Sequence, residues 1–323
     1  MPSKKLTSLL WIIAIPVAYA LLLRTVFDLD IIQNFTQVMS ITFFISLPFG
    51  VGVITIALSP VEKVKYRGYR ILMPWLPILL FAVLTILLQT EGWACWIMIL
   101  PVFLIFGSIG GLVAGYYKLK KYRNENKLHI SLVCLLPVVI LSFENQLPSL
   151  PARYEAYTYT DITATKEQIW NNVTRVREIG EKDDKGSFTN FLGFPRPVKA
   201  ELDYAGVGGS RKAIFSRGLV FDEVVKDYAP EKMMHFSIKA NPFNIPSTTM
   251  DKHVVIGGDY FDVLDGTYKL EQLNKTTCRL HLFSHFELKT TFNFYASWWA
   301  GWIMKDIQNN ILQVIKARSE MKS

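Results

Sequence analysis

Cysteine is scarce in this chain. There are three in 323 residues, Cys95, Cys134 and Cys278, and the first two lie inside apolar runs. With one cysteine left, the C-terminal half has no internal disulfide and no cysteine-based metal motif. Charge is missing from the interiors of the apolar segments, where a transporter or ion pathway keeps the groups that handle its substrate. Beyond residue 150 no Lys/Arg cluster is interleaved with aromatics, so nucleic acid is excluded as a partner. No GxSxG elbow marks a serine nucleophile.

What is present is a series of apolar segments at residues 6–23, 38–58, 71–88, 93–117 and 128–143. Each is close to the ~20 residues a helix needs to cross about 30 Å of hydrocarbon, the fifth being the shortest. Eleven of the twelve Lys and Arg residues before position 150 fall in alternate gaps: Lys4 and Lys5, then Lys63, Lys65, Arg67 and Arg70, then Lys118, Lys120, Lys121, Arg123 and Lys127. Arg24 alone falls on the other side. The positive-inside rule then puts the N-terminus in the cytoplasm of a bacterial cell, with the spans in its inner (plasma) membrane. Five spans leave everything after residue 143 extracytoplasmic; a fifth segment lying only at the interface would reverse that side. Lys4, Lys5 and Ala18-Tyr19-Ala20 imitate a signal peptide, but the apolar run continues through Leu23 and reads as an uncleaved anchor.

The net charge of +8 changes meaning in this light. The first 150 residues hold twelve basic against six acidic residues, and the remainder 23 against 21. Most of the basic surplus is a topology signal. Arg24, Glu91 and His129 sit at span ends, where snorkelling satisfies them. Proline occurs in every span (Pro16, Pro48, Pro74, Pro77, Pro101, Pro137), as kinks that neighbouring helices tolerate or as the broken helices of a transporter. Gly107, Gly111 and Gly115 form a small-residue stripe on the fourth span. Such a stripe serves close helix packing, within the bundle or between two copies in a homodimer.

Hydropathy drops after the membrane domain, residues 1–147, and a second domain occupies 152–323. Residues 154–162 alternate as a strand, and 163–176 form a helix opened by a Thr165/Gln168 capping box. Strand-like runs follow at 198–204, 210–216, 220–227, 233–240, 266–273 and 278–288, with Asp265-Gly266 read as a turn. The short separators make this an antiparallel meander. An amphipathic helix over 293–319 closes the chain. Strand, helix, six strands and a long last helix are the order of the α+β helix-grip fold, a curved sheet wrapping its C-terminal helix.

Three stretches carry a family resemblance: ITATKEQIW at 162–170, GGDYFDVLDGTYKLE at 257–271 and MKDIQNNILQVIKARSE at 304–320. They resemble the SRPBCC proteins (START-like, polyketide cyclase/dehydrase-like) over about residues 153–319. The resemblance implies a hydrophobic cavity between sheet and last helix that holds a lipid, steroid, polyketide or similar apolar molecule, with no cofactor. Glu223 breaks an apolar parity set by Leu219, Phe221 and Val225, so it either faces that cavity or is exposed near a strand end. Tyr260 and Asp262 follow a long connection, 241–259, with the length of a lid, and are placed at the cavity mouth. Trp299 and Ile303 of the last helix are the other lining candidates. Trp298 and Trp302 either touch the bilayer headgroups or cap the core at the wide end of the cavity. His281 and His285 share a strand face but stand ~13 Å apart by strand rise, too far to chelate one ion, and no metal site is expected. The function expected is a membrane-anchored binding or sensing protein for an apolar ligand. No catalytic residue is assigned. A cyclase- or hydrolase-type enzyme in the same cavity, or a transporter fed by the second domain, are the alternatives.

Overall fold

A computed structural model describes residues 4–27, 41–123, 140, 151–180, 182–186, 188–240, 243–244, 255–258 and 260–321. The chain divides into two compact units, Met1–Ser149 and Leu150–Ser323. The fifth apolar segment, apart from Ile140, and residues 144–150 lie outside the described residues.

The first unit contains α1 (Lys4–Phe27), α2 (Ile41–Leu58), the short α3 (Val61–Val64) and α4 (Arg67–Leu72), α5 (Trp75–Leu87) and α6 (Trp93–Arg123). Against the five segments expected, three stretches among the described residues are long and apolar enough to cross a membrane, Leu9–Val26, Arg67–Leu87 and Trp93–Lys120, and Phe43–Leu58 is a shorter apolar helix. Leu10, Leu22, Val83, Leu87 and Ile105 of these helices are exposed, as suits side chains that meet hydrocarbon.

Glycine sets how closely these helices approach. A Cβ on Gly52 of α2 would lie 2.0 Å from the Gly107 carbonyl oxygen of α6, and one on Gly110 would lie 2.2 Å from that of Phe49. The stripe is taken up within the chain: a Cβ on Gly107 would meet Ile78, and one on Gly111 or Gly115 would meet Arg70. The polar residues at the span ends do not simply snorkel. Arg24 Nε donates to Glu91 Oε1 at 2.6 Å, and both side chains are about 95% buried (4% and 5% exposed). The pair ties the end of α1 to the turn between α5 and α6. Lys118 of α6 donates to the Ala57 and Ser59 carbonyls at the end of α2, where a cation answers the helix dipole.

In the second unit the elements are β1 (Ala152–Ile162), α7 (Lys166–Thr174), α8 (Phe188–Leu192), β2 (Pro197–Leu202), β3 (Ser210–Phe215), β4 (Val220–Ala229), β5 (Met233–Ala240), β6 (Phe243–Asn244), β7 (Val255–Ile256), β8 (Phe261–Gln272), β9 (Cys278–Leu288) and α9 (Asn293–Glu320). The sheet runs β1-β9-β8-β5-β4-β3-β2 with every pair on that path antiparallel, and β7, itself paired with β6, meets β8 in parallel. Folded over one face lies α9. This is the helix-grip arrangement. Thr165 caps α7 reciprocally with Gln168, since Thr165 Oγ1 accepts from the Gln168 amide and Gln168 Oε1 from that of Thr165.

The core follows from alternation along β9. Cys278, Leu280, Leu282, Phe286 and Leu288 point inward, and Arg279, His281, Phe283, His285 and Glu287 outward. Inward residues of the sheet meet Ile169, Trp170 and Val173 of α7 and Leu312 and Ile315 of α9. One expectation fails here. Asp265-Gly266 is not a turn, because β8 begins at Phe261 and runs through it. Glycine is required there for a different reason: a Cβ on Gly266 would lie 2.6 Å from the Phe236 ring, which crosses it from β5.

Candidate ligand groove of the second unit

The last helix is buried unevenly. From Gln308 onward it is locked down, with Gln308, Asn310, Leu312, Val314, Ile315 and Ser319 buried; before Gln308 no α9 residue is. Yet that first half is strongly apolar. Ala296, Ala300 and Met304 rest against Ala156, Phe286 and Leu288 on the β1/β9 side, whereas Trp299, Ile303 and Ile307 are only half-covered. Beside Gly301 nothing lies within 4 Å of where a Cβ would stand. On the inner face of the sheet Phe215, Phe221 and Ile238 are half-covered as well. Apolar side chains on the first half of the helix and on the inner sheet face are thus left incompletely packed, as a groove for an apolar molecule requires.

A buried amide marks where the groove stops. Gln308 Oε1 accepts from Thr158 Oγ1 at 3.0 Å, and its Nε2 donates to the Ala156 carbonyl at 3.0 Å and to Ser284 Oγ at 2.9 Å. Every polar atom of that side chain is met, so it clamps α9 to β1 and β9.

Deeper in the sheet, Glu223 of β4 and Arg211 of β3 stand directly opposite each other. Both face inward, at 4% and 3% exposure, and the Arg211 guanidinium donates from Nη1 to Glu223 Oε2. Its Cζ lies 5.3 Å from the Phe236 ring centre and 5.9 Å from that of Tyr268, within cation–π range. Burial pushes the Glu223 carboxyl up and Arg211 pulls it back. Burial also works against the guanidinium's charge, but Glu223 and Tyr268 hold its pKa above the ordinary value. Arg211 Nε is buried with no acceptor.

Of the residues singled out in the sequence, Glu223 is therefore interior and paired, not exposed at a strand end. Trp299 and Ile303 lie half-buried on the open half of α9. Tyr260 precedes β8, half-buried, its carbonyl accepting from the Lys289 amide at 3.1 Å. Asp262 is not at the groove: it lies opposite Glu287 on the outer face. The cause is a bulge between Val263 and Asp265, whose extra residue reverses the alternation, so that Phe261 and Val263 point inward before it and Gly266 and Tyr268 after it. Burial raises the Asp262 carboxyl pKa, and its Oδ1 has no hydrogen-bond partner. Trp298 and Trp302 do not cap the core; they are 77% and 59% exposed. Most of the connection 241–259 lies outside the described residues. Arg211 was missed, although it shares the apolar parity of Ala213 and Phe215 and the test that picked out Glu223 would have found it.

His285 bridges Asp265 (Nδ1 to Oδ1, 2.7 Å) and Glu155 (Nε2 to Oε2, 3.4 Å), and His281 Nδ1 lies 2.9 Å from Tyr157 Oη, all on the outer face. Among the described residues no group of three or more His, Cys, Asp or Glu is placed to hold a metal ion.

No family profile matches the chain, and no curated protein matches it. Solved structures that align with it include truncated norcoclaurine synthase from Thalictrum flavum, at 11% identity over 53% of this chain and 97% of that one, with a TM-score of 0.31. The Aha1 dimer from Colwellia psychrerythraea aligns at 20% identity over 52% of this chain and 97% of that one, with a TM-score of 0.26. The di-domain ARO/CYC protein BexL of the BE-7585A biosynthetic pathway aligns at 13% identity over 68% of this chain and 64% of that one, with a TM-score of 0.33. At these values the alignments carry no inference about activity, and the helix-grip assignment rests on the strand order and the last helix.

Proposed function

We propose that this chain is a membrane-anchored binding or sensing protein whose helix-grip domain, of SRPBCC type, holds an apolar ligand such as a lipid. The observation that carries this reading is the uneven burial of α9: an apolar first half left half-open above an apolar sheet face, beyond a fully satisfied Gln308 clamp. A ligand lying in the groove would cover Trp299 and Ile303. An oxygen on it that reached Arg211 Nε would give that buried donor the acceptor it lacks. The neutral Arg211–Glu223 pair favours an uncharged acceptor, a carbonyl or hydroxyl, over a full anion that Glu223 would repel.

The anchoring part of the proposal rests on the apolar helices and the alternation of basic loops. In this reading the N-terminus is cytoplasmic and, with residues 128–143 crossing once more, the binding domain lies outside an inner (plasma) membrane. The test is native mass spectrometry of the second unit, residues 150–323, after exposure to a total lipid extract. Retention of a defined lipid mass is expected, and its loss on Ile303→Trp, which fills the groove. Repeated recovery of the folded unit without any adduct overturns the reading.

A further inference from the structure

The outward ridge of α9 changes character along its length. Phe294, Trp298 and Trp302 follow one another at intervals of four and are 71%, 77% and 59% exposed. The same ridge continues as Lys305, Asn309 and Gln313, all exposed. An α-helix facing water along its whole length would carry the polar pattern throughout; here the first ~12 Å is aromatic instead. The patch extends beyond the helix. Phe188 of α8 lies 4.9 Å from the Trp302 ring and 6.4 Å from that of Trp299, and Trp299 lies 5.8 Å from Trp302. Single exposed apolar residues are ordinary, but a contiguous exposed aromatic surface marks an interaction site.

The geometry points to a lipid bilayer as the occupant, with this aromatic surface seated at its headgroup level. Three features select it over a protein partner. Tryptophan and phenylalanine bordered by lysine are the composition of an interfacial helix face, where rings sit among headgroups and an ammonium meets phosphate. An ammonium follows the patch on the same ridge, Lys305, and Lys182 and Lys185 precede Phe188 in the chain; all three are exposed, as is Asp183, which lies 3.7 Å from Arg318. Nearby acids are engaged, Asp306 by the Thr189 amide and hydroxyl at 2.9 and 2.7 Å, and Asp184 by Asn310 Nδ2 at 2.7 Å. Finally, the start of β1 at Ala152 follows the end of α6 at Arg123 by a contour of at most about 100 Å at ~3.5 Å per residue, so in the anchored reading a bilayer is always within the domain's reach. This inference rests on the membrane-anchored reading but not on a ligand being bound. It adds to that reading a way for a lipid to enter the half-open groove, since Trp299 belongs both to the patch and to the groove.

The test uses the full chain in nanodiscs of phosphatidylcholine and phosphatidylglycerol, with Cys95, Cys134 and Cys278 replaced by Ala and a nitroxide on one new cysteine at a time. Sites are Phe294→Cys, Trp298→Cys, Asn309→Cys and, in α5, Leu79→Cys. Collision with oxygen relative to a water-soluble nickel chelate is expected to be several-fold higher at 294 and 298 than at 309, and highest at 79. Chelate access at 294 and 298 equal to that at 309, with 79 still oxygen-rich, overturns the docking surface and leaves the anchor standing. Chelate access at 79 overturns the anchored reading and the docking with it. Shielding of 294 and 298 from both reagents also overturns the inference, because protein, such as a second copy, then covers the patch.

Discussion

Arg211 and Glu223 stand in the sheet as one unit, and the energetics of such a unit are asymmetric. Removing both charges returns two desolvation penalties along with the attraction, whereas removing one leaves its partner buried and uncompensated. Glu223→Gln is therefore expected to destabilise the second unit by about 3–5 kcal/mol, and Arg211→Met with Glu223→Leu by far less. Hydrogen exchange of the β3 and β4 amides, with denaturant titration of each variant, measures both. Equal losses in the single and double variants would mean that leaving the Arg211 charge without its partner carries no extra cost. The same residues show how far alternation reads a site. Glu223 stood out because it broke an apolar parity, and Arg211 breaks one on the next strand in the same way. Asp262 follows the long connection that suggested a cavity mouth, and the bulge beyond Val263, which sets inside and outside for this stretch, leaves no trace in composition.

Among the elements of the second unit, β8 and α9 differ most in what the sequence disclosed. The limits of α9, β5 and β9 follow from periodicity, because each commits one face to the core. Periodicity says nothing about the distance between helix and sheet, so the open half of α9 was not legible. In β8, Asp265-Gly266 carries the composition of a hairpin turn, and only the Phe236 ring lying across from β5 explains glycine in mid-strand. Gly266 and Gly301 accordingly make a matched pair of tests. Gly266→Val drives a side chain into Phe236, 2.6 Å from the position of its Cβ, and is expected to cost about 1–3 kcal/mol, as overpacking does. Gly301→Ala meets nothing within 4 Å and gains the helix propensity that glycine lacks, up to about 1 kcal/mol. Thermal unfolding of the two variants should move in opposite directions; a shift of the same sign would show that Gly301 is not at an open face.

At the scale of the whole molecule, the two ends of the helical first unit carry different chemistry. At one, Arg24 is paired with Glu91, and no other Lys or Arg lies in either gap flanking α1 and α5 on that side. At the other, Lys63, Lys65, Arg67, Arg70 and Lys118 gather where α2 ends and α4 begins. The burial of Arg24 sharpens the asymmetry, since the lone exception to the alternation is consumed by an ion pair and presents little charge to a headgroup. Translocation retains basic loops in the cytoplasm, so the Lys63–Arg70 loop is expected inside and Glu91 outside. The side of the second unit then depends on whether 128–143 crosses once more, and its ~16 apolar residues suffice for a thin or locally compressed bilayer. Alkaline phosphatase fused after Ser323 is therefore expected to be active and a fluorescent protein at the same point dark, with the opposite pattern for fusions at Lys65. A bright C-terminal fluorescent protein would make 128–143 an interfacial segment and move the groove, with its aromatic rim, to the cytoplasmic leaflet. Access to a different pool of lipids would follow, while the helix-grip geometry that holds them stayed the same.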